Sequence, residues 1–457
     1  VTSRPHLLTT RLLLALALLS AVAPFATDLY LPAFPAMATD LGTDPTAIQL
    51  TLTAFLVGMA AGQLIFGPLS DRLGRRLPLV IGAVVFVLSS LVVAFAPTIG
   101  VLVPARLVQG LAGSAGMVLG RAIISDLARG EVAARAFTLM MIVGGVAPVV
   151  APVAGSLLTE ALGWRGTLGV LTGIAVLMLL AVLAAVPETL PAHARRGRRT
   201  TASLALAADV ADVPAWGSPA SGAIVNGPAV EPTLPLWRNR TYLLCTAVFV
   251  ASFAVMMAYI SASPFVYQEL IGLSAVTYGL VFGANALALM ATSAVASKLL
   301  SSLGSRRVMA MGLAGLGVGI VLLAATAAWL PVAFLPVPIL LTVASLGFIL
   351  GTATALALDA VRGPAGFASA ALGAAQFAAA GLVSPLVGLG GGVSVTPMVL
   401  VMAVAGAIAI GSGVLHAVGS RSRADVGDAD AADRSAAVDA ADAEPGELTL
   451  AGEGAQA

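Results

Sequence analysis

Two groups of residues in this chain have types and spacing that could do chemistry. The first is a pair of charges set inside long apolar runs, Asp28 and Arg106. A carboxylate held in a hydrocarbon layer costs roughly 2.5–3.5 kcal/mol on insertion scales, and it escapes that cost by taking up a proton. An acid that is protonated in one state and ionised in another can couple a movement to a proton gradient; the alternative is a solvated or capping acid near the membrane surface. Pro24 lies four residues earlier and frees a backbone carbonyl, which allows the helix to bend toward a cavity. A guanidinium keeps its charge, so Arg106 must find a carboxylate, a carbonyl or water. It is expected either as the counterpart of Asp28 or as a strut on backbone carbonyls. The second group is the block Gly67-Pro68-Leu69-Ser70-Asp71-Arg72-Leu73-Gly74-Arg75-Arg76 between two apolar runs. It is too polar for hydrocarbon and too short for a domain, which suits a tight turn with arginines at the headgroups. Asp71 can accept from the neighbouring arginines or cap a helix N-terminus, where anions are favoured. Such a cluster can form in one state of a gate and break in the other. Arg121 and Asp126 either extend it or make an ordinary interfacial pair.

These residues need elements to hold them, and composition says which. Of 457 residues 59% are apolar and 10% charged, and mean hydropathy is +1.01. A soluble fold of this size could not cover itself with so little polar surface. The apolar residues come in blocks of about 20, the length that crosses a ~30 Å hydrocarbon core as a helix. No alternating strand pattern is present, against an outer-membrane barrel. Twelve spans are expected, at 11–34, 46–68, 77–96, 98–120, 135–158, 166–186, 240–263, 273–297, 307–329, 335–358, 366–390 and 395–417. They are called spans 1 to 12 below. The organisation that follows is a six-helix bundle over 1–190, a proline-bearing basic linker over 191–238, a second six-helix bundle over 239–418, and a disordered, or at best weakly helical, acidic tail over 419–457. Residues 4–26 resemble a signal peptide, but the run continues into an acidic, proline-bearing segment that reads as a working helix.

With the N-terminus inside, all but two of the 23 Lys and Arg residues fall on the inner side; Arg165 lies outside and Arg106 within span 4. That bias predicts two cytoplasmic termini. The sequence Leu303-Gly304-Ser305-Arg306-Arg307 after span 8 echoes Leu73-Gly74-Arg75-Arg76 after span 2 without the acid, so the halves read as diverged copies.

Several chemistries are disfavoured. Cys245 is the one cysteine, and His6, His193 and His416 are scattered, so no metal cluster is visible. Lys298 is the one lysine and follows no glycine-rich loop, so no phosphate cradle for nucleotide-driven pumping is apparent. No nucleophile–base constellation suggests an enzyme, nothing suggests nucleic acid, no cofactor is expected, and nothing forces an oligomer. A substrate cavity could draw on Tyr30, Gln49, Phe55, Met59, Gln63, Met117, Met141, Phe253, Met256, Met257, Tyr259, Asn285 and Gln376. Methionine and aromatic side chains adapt to varied apolar ligands, but most such residues in a helix bundle are packing. The lone amides Asn285 and Gln376 need a partner or water. The glycines of span 4 include the series Ala112-Gly116-Gly120, which suits close helix packing.

The Gly67–Arg76 block closely resembles the loop signature of the major facilitator superfamily, matching at Gly67, Leu69, Asp71, Arg72, Gly74, Arg75 and Arg76. Leu102-x3-Arg106-x2-Gln109-Gly110-x-Ala112-Gly113 is similar to the superfamily's span-4 motif. Gly145, Pro148, Pro152 and Gly155 in span 5 resemble its antiporter motif in degenerate form, and Pro187-Glu188-Thr189-Leu190 closes span 6 as in twelve-span drug exporters. Within the superfamily, Thr27-Asp28-Leu29-Tyr30-Leu31-Pro32-Ala33-Phe34-Pro35, Gln49-Leu50-Thr51-Leu52 and Gly116-Met117-Val118-Leu119-x-Arg121-Ala122-Ile123 look most like the bicyclomycin-resistance (Bcr/CflA) drug-efflux group. The likeness is dense over 20–190 and rests mainly on hydropathy and spacing after 240. It implies two pseudo-symmetric six-helix bundles in the bacterial cytoplasmic membrane, alternating access, and efflux of small apolar drugs or toxic metabolites driven by protons. It also implies a part for Arg106 in proton transfer. A dedicated exporter of one metabolite or sugar, and a non-transporting membrane sensor or scaffold, remain alternatives.

Overall fold

The computed structural model describes residues 9–128, 130–190, 238–361, 365–389 and 394–442. Among them every regular element is helical, and nine helices are long and apolar enough to cross a membrane. Two of these are pairs of spans joined at sharp corners: Gly130–Ala185 turns at Gly163 and Ala275–Trp329 at Gly304. With the shorter apolar helix Ala371–Leu386, the twelve expected spans are all present, in two six-helix bundles.

The helix ends follow local chemistry. Asp44 caps span 2, its carboxylate accepting from the Ala47 N–H at 2.7 Å, with Pro45 at the first helical position. Span 2 ends at Gly74, whose φ of 96° a side chain would resist. Gly304 takes φ 75° and ψ 159° after span 8, against φ 96° and ψ 168° at Gly74, so the sequence echo is one turn built twice.

Span 1 is broken. Its helix Thr10–Asp28 stops at the acid, a 3-10 turn follows at Leu31–Ala33, and a short helix resumes over Phe34–Asp40. Pro32 and Pro35 lack the N–H that would continue the α-helical ladder. Span 7, its counterpart in the second half, also departs from α geometry at the same end, in a π turn over Val266–Leu270.

Spans 2 and 4 pack backbone to backbone. A Cβ on Gly58 would lie 2.1 Å from the Leu107 carbonyl oxygen, and one on Gly110 would lie 1.9 Å from that of Phe55. The linker 191–237 and residues 443–457 lie outside the described residues, as do His6 and His193. The last helix runs unbroken from Thr396 to Asp442. Residues 419–442, expected as a tail that is disordered or at best weakly helical, continue the span-12 helix; their alanine content favours helix despite the acids.

Candidate functional site

Asp28 is the last residue of its helix, where span 1 unwinds, and is 5% exposed. The break leaves backbone carbonyls without helical partners, and other spans supply them. Arg106 donates Nη2 to the Ala26 carbonyl at 2.9 Å, and Gln268 of span 7 donates to the Pro32 carbonyl at 3.1 Å. Gly155 lets span 5 come so close that a Cβ there would sit 1.8 Å from the Leu29 carbonyl oxygen.

Arg106 is fully buried, but Asp28 is not its ion-pair partner. Its Nη1 donates to Gln109 Oε1 at 2.7 Å, and Gln109 donates to Ser90 Oγ of span 3 at 2.7 Å. The guanidinium lies 4.1 Å from the ring centre of Tyr30 and 4.6 Å from that of Phe55, so aromatic faces meet the charge instead of a carboxylate. The Tyr30 hydroxyl in turn is 3.2 Å from Thr51 Oγ1. Arg106 therefore ties spans 1 to 4 together as a strut on a carbonyl. Of the two arrangements expected for Arg106, the strut on a backbone carbonyl forms and the Asp28 pair does not: the guanidinium is drawn to the carbonyl two residues before the acid.

The Thr27 side chain lies beside Asp28, and the Tyr259 and Tyr278 phenols of the other half are within electrostatic range of it. Asn285 donates to the Tyr259 hydroxyl at 2.8 Å, and Ser263 and Tyr278 share a 3.1 Å hydrogen bond. The Tyr267 ring packs on Tyr278 at 6.0 Å, and its buried hydroxyl lies near the Asn285 side chain. Tyr259 and Asn285 were expected near a cavity. Tyr267 and Tyr278 were not, although a tyrosine placed among apolar neighbours carries the same need for a polar partner.

Other candidates serve the interface between the halves. Gln49 donates to the Ser261 carbonyl at 3.1 Å and its own carbonyl accepts from Ser384 at 3.2 Å. Thr46 donates to the Gly388 carbonyl at 2.6 Å, and the Phe34 and Phe265 rings are 6.0 Å apart. These contacts join the halves at the end remote from the Gly67–Arg76 turn. Closer to the turn, Gln63 of span 2 meets span 11, with a Cβ on Gly373 lying 2.7 Å from its Oε1. Phe253 faces Phe377 at 6.0 Å. Met59 and Met257 are buried, and Met117, Met256 and Gln376 are half-buried; the Met141 side chain lies outside the described residues. Gly145 meets nothing within 4 Å, while Pro148 and Pro152 sit inside the span-5 helix. The Pro152 carbonyl oxygen would be 2.8 Å from a Cβ on Gly279 of span 8.

At the turn, Arg75 is the hub. Its Nε donates to Asp126 at 2.9 Å, and its Nη1 to Asp71 at 2.8 Å and to Ser70 at 2.7 Å. Burial works against its charge, but the Asp126 and Asp71 carboxylates outweigh that and hold its pKa above the ordinary arginine value. Glu188 accepts from the backbone N–H groups of Arg75 and Arg76 at 2.8 and 3.2 Å, and Thr189 donates to Asp126 at 3.0 Å. The Pro187–Leu190 stretch that closes span 6 is thus a clasp on the turn. The motif that closes span 6 contains Glu188 and Thr189 but does not itself point to the turn as their partner, and nothing in the residue type of Ser70 marks it. Of the two readings of Arg121 and Asp126, the pair does not form, since Arg121 donates to the Met117 carbonyl at 3.1 Å, and Asp126 alone extends the cluster by facing Arg75. Arg72 and Arg76 are exposed. Every one of these Arg75 partners belongs to the first half.

Comparison with known proteins agrees with this architecture. The family model of the Major Facilitator Superfamily matches residues 16–385. An uncharacterised MFS-type transporter, YdgK of Bacillus subtilis, is 34% identical over 377 residues, 82% of this chain and 87% of its own length. A bicyclomycin resistance protein homolog of Haemophilus influenzae is 28% identical over 302 residues, 66% of this chain and 69% of its own. Among solved structures, a D-xylose–proton symporter superposes with a TM-score of 0.67 at 15% identity, covering 89% of this chain and 96% of its own; at that identity the likeness is one of fold. The chain belongs to the Major Facilitator Superfamily, as a multi-pass membrane transporter of small molecules.

Proposed function

We propose that this transporter exports small, largely apolar toxic compounds across the bacterial cytoplasmic membrane in exchange for protons, as a monomer with both termini in the cytoplasm. The names of relatives support the substrate class: besides the bicyclomycin resistance homolog, a multidrug resistance protein MdtL of Klebsiella pneumoniae is 28% identical over 368 residues. The observation that carries the coupling is Asp28: an acid 5% exposed, at the end of the span-1 helix where the span breaks. A carboxylate so placed changes surroundings whenever the halves separate at that end, so its proton occupancy and the gate are linked.

The conformation fits an inward-facing state. The end remote from the turn is held shut by Thr46, Gln49, Ser384 and Gln268, and the Arg75 side chain bonds to Asp71, Asp126 and Ser70 of its own half. In the outward-facing state Asp71 and its arginine neighbours are expected to latch the turn end against the second half. Tyr259, Asn285, Met256, Gln63 and Gln376 then line the path between the halves.

A susceptibility panel in an efflux-deficient bacterial host tests the reading. Wild type should raise tolerance to several structurally unrelated apolar toxins, and Asp28→Asn should not. Protection against a single compound would instead favour a dedicated exporter, and protection that survives Asp28→Asn would remove the acid from the mechanism.

A further inference from the structure

We infer that the groove between the start of span 1 and the end of span 6 is a binding site for the headgroup of an anionic phospholipid, with Arg76 as its phosphate ligand. The groove has a volume of about 280 Å³ and is lined by Thr9, Leu12, Arg76, Leu183, Val186 and Pro187. Arg76 supplies its charged side chain, Thr9 and the Leu183 carbonyl add polar surface, and Leu12, Val186 and Pro187 give apolar walls, the mix that a headgroup with its glycerol requires.

The cation is well placed. Arg76 is the first residue of its helix and is exposed. Its Nη2 touches the Leu183 carbonyl at 3.3 Å, which aims the guanidinium across the groove mouth and leaves further N–H donors for a second acceptor. Its backbone is fixed from behind by Glu188 at 3.2 Å. A guanidinium offers a phosphate two parallel donors. On the opposite wall the helix Thr10–Asp28 begins, so its N-terminal N–H groups and the exposed Arg11 add positive potential. The Thr9 hydroxyl oxygen accepts from the Leu12 N–H at 3.3 Å, and its own hydrogen remains available to an acceptor.

The acyl chains also have a track. Leu177, Leu180 and Leu183, spaced three apart on one face of span 6, are 61%, 55% and 45% exposed. They form an apolar stripe running from the groove toward the middle of the bilayer. A soluble anion would gain nothing from this stripe, whereas a diacyl lipid fills groove and stripe together. The turn end of the molecule carries most of its arginines, so the site faces the leaflet where anionic headgroups neutralise them.

The test is native mass spectrometry of the full chain released from bilayers of phosphatidylglycerol and phosphatidylcholine in equal amounts. Wild type should retain phosphatidylglycerol at least several-fold over phosphatidylcholine. Arg76→Gln should abolish that preference and Arg76→Lys should keep much of it. Ala184→Trp, which crowds the groove without touching a charge, should reduce retention of the lipid several-fold. Arg307→Gln, at the corresponding turn of the second half, should change nothing. Equal retention of the two lipids by wild type, or an undiminished preference in Arg76→Gln, would overturn the assignment. So would loss of the bound lipid to millimolar inorganic phosphate, which would make the site one for free phosphate. A lipid signal that appears only after residues 1–8 are deleted would give the groove to that segment and overturn it equally.

Discussion

The turn after span 2 and the turn after span 8 have the same backbone and different chemistry. Both corner at a glycine with positive φ, Gly74 and Gly304, and both carry arginines just beyond. In the first, Arg75 is gripped by Asp71, Asp126 and Ser70, and Glu188 caps the helix that follows. In the second, the position matching Asp71 is Ser301, whose hydroxyl turns back to the Lys298 carbonyl at 3.0 Å, and among the described residues neither Arg306 nor Arg307 is ion-paired. The duplicated part is therefore a corner, which any antiparallel helix pair needs. The charge network was kept or gained in one copy only. The same asymmetry holds deeper in the membrane, where Asp28 and Arg106 belong to the first half and the second half answers with tyrosines and an amide.

Substitutions can break this contrast. The largest effect is expected from Arg75→Gln, which takes the Arg75 cation away from both Asp126 and Asp71. Removing one partner of a buried pair costs about 3–5 kcal/mol; the lower end applies here because the Asp71 side chain is 39% exposed and water can reach it. Thermal unfolding in detergent should show a clear loss, and transport should fall at least tenfold. A mutant as stable and active as wild type would reduce the network to a topological marker. Next come Gly74→Ala and Gly304→Ala. Each forces a side chain into the left-handed region at about 1–2 kcal/mol, and the two should cost the same, since the corners are alike. A much larger cost at Gly74 would mean that the charge network depends on the corner's exact geometry. Arg306→Gln, with no carboxylate to abandon, should shift stability by no more than about 0.5 kcal/mol. A loss comparable to that of Arg75→Gln would show that the second turn has partners of its own. Smallest of all should be the effect of salt on the pairing of Arg165 with Asp40 at the remote end, half-exposed on both sides and worth at most about 1 kcal/mol. Stability unaffected by salt at that site is consistent with the contrast; a strong dependence would point to a second electrostatic gate.

Much of the fold was legible because hydropathy fixes which residues enter the bilayer and the arginine bias fixes the corners. Gly74, Gly163 and Gly304 each fall where two apolar runs meet. Depth was legible too: Asp28 and Arg106 both lie buried at one level. Direction around the helix axis was not. Whether Arg106 meets the Asp28 carboxylate or the Ala26 carbonyl depends on a rotation that apolar spacing in an all-apolar helix does not encode. The same ambiguity hid Gln49, since an amide within a span can line a cavity or cross an interface, and here it crosses to Ser261. Glu188 was hidden for another reason. Its partners are backbone N–H groups 112 and 113 residues away, and a backbone donor leaves no residue type to recognise.

The central claim is that Asp28 links proton occupancy to the gate between the halves. It is tested most directly in everted membrane vesicles, by measuring uptake of a neutral apolar substrate across an imposed pH gradient. Wild type should accumulate substrate in proportion to the gradient, and Asp28→Asn should show only gradient-independent equilibration. Accumulation by Asp28→Asn with the wild-type dependence on the gradient would contradict the claim.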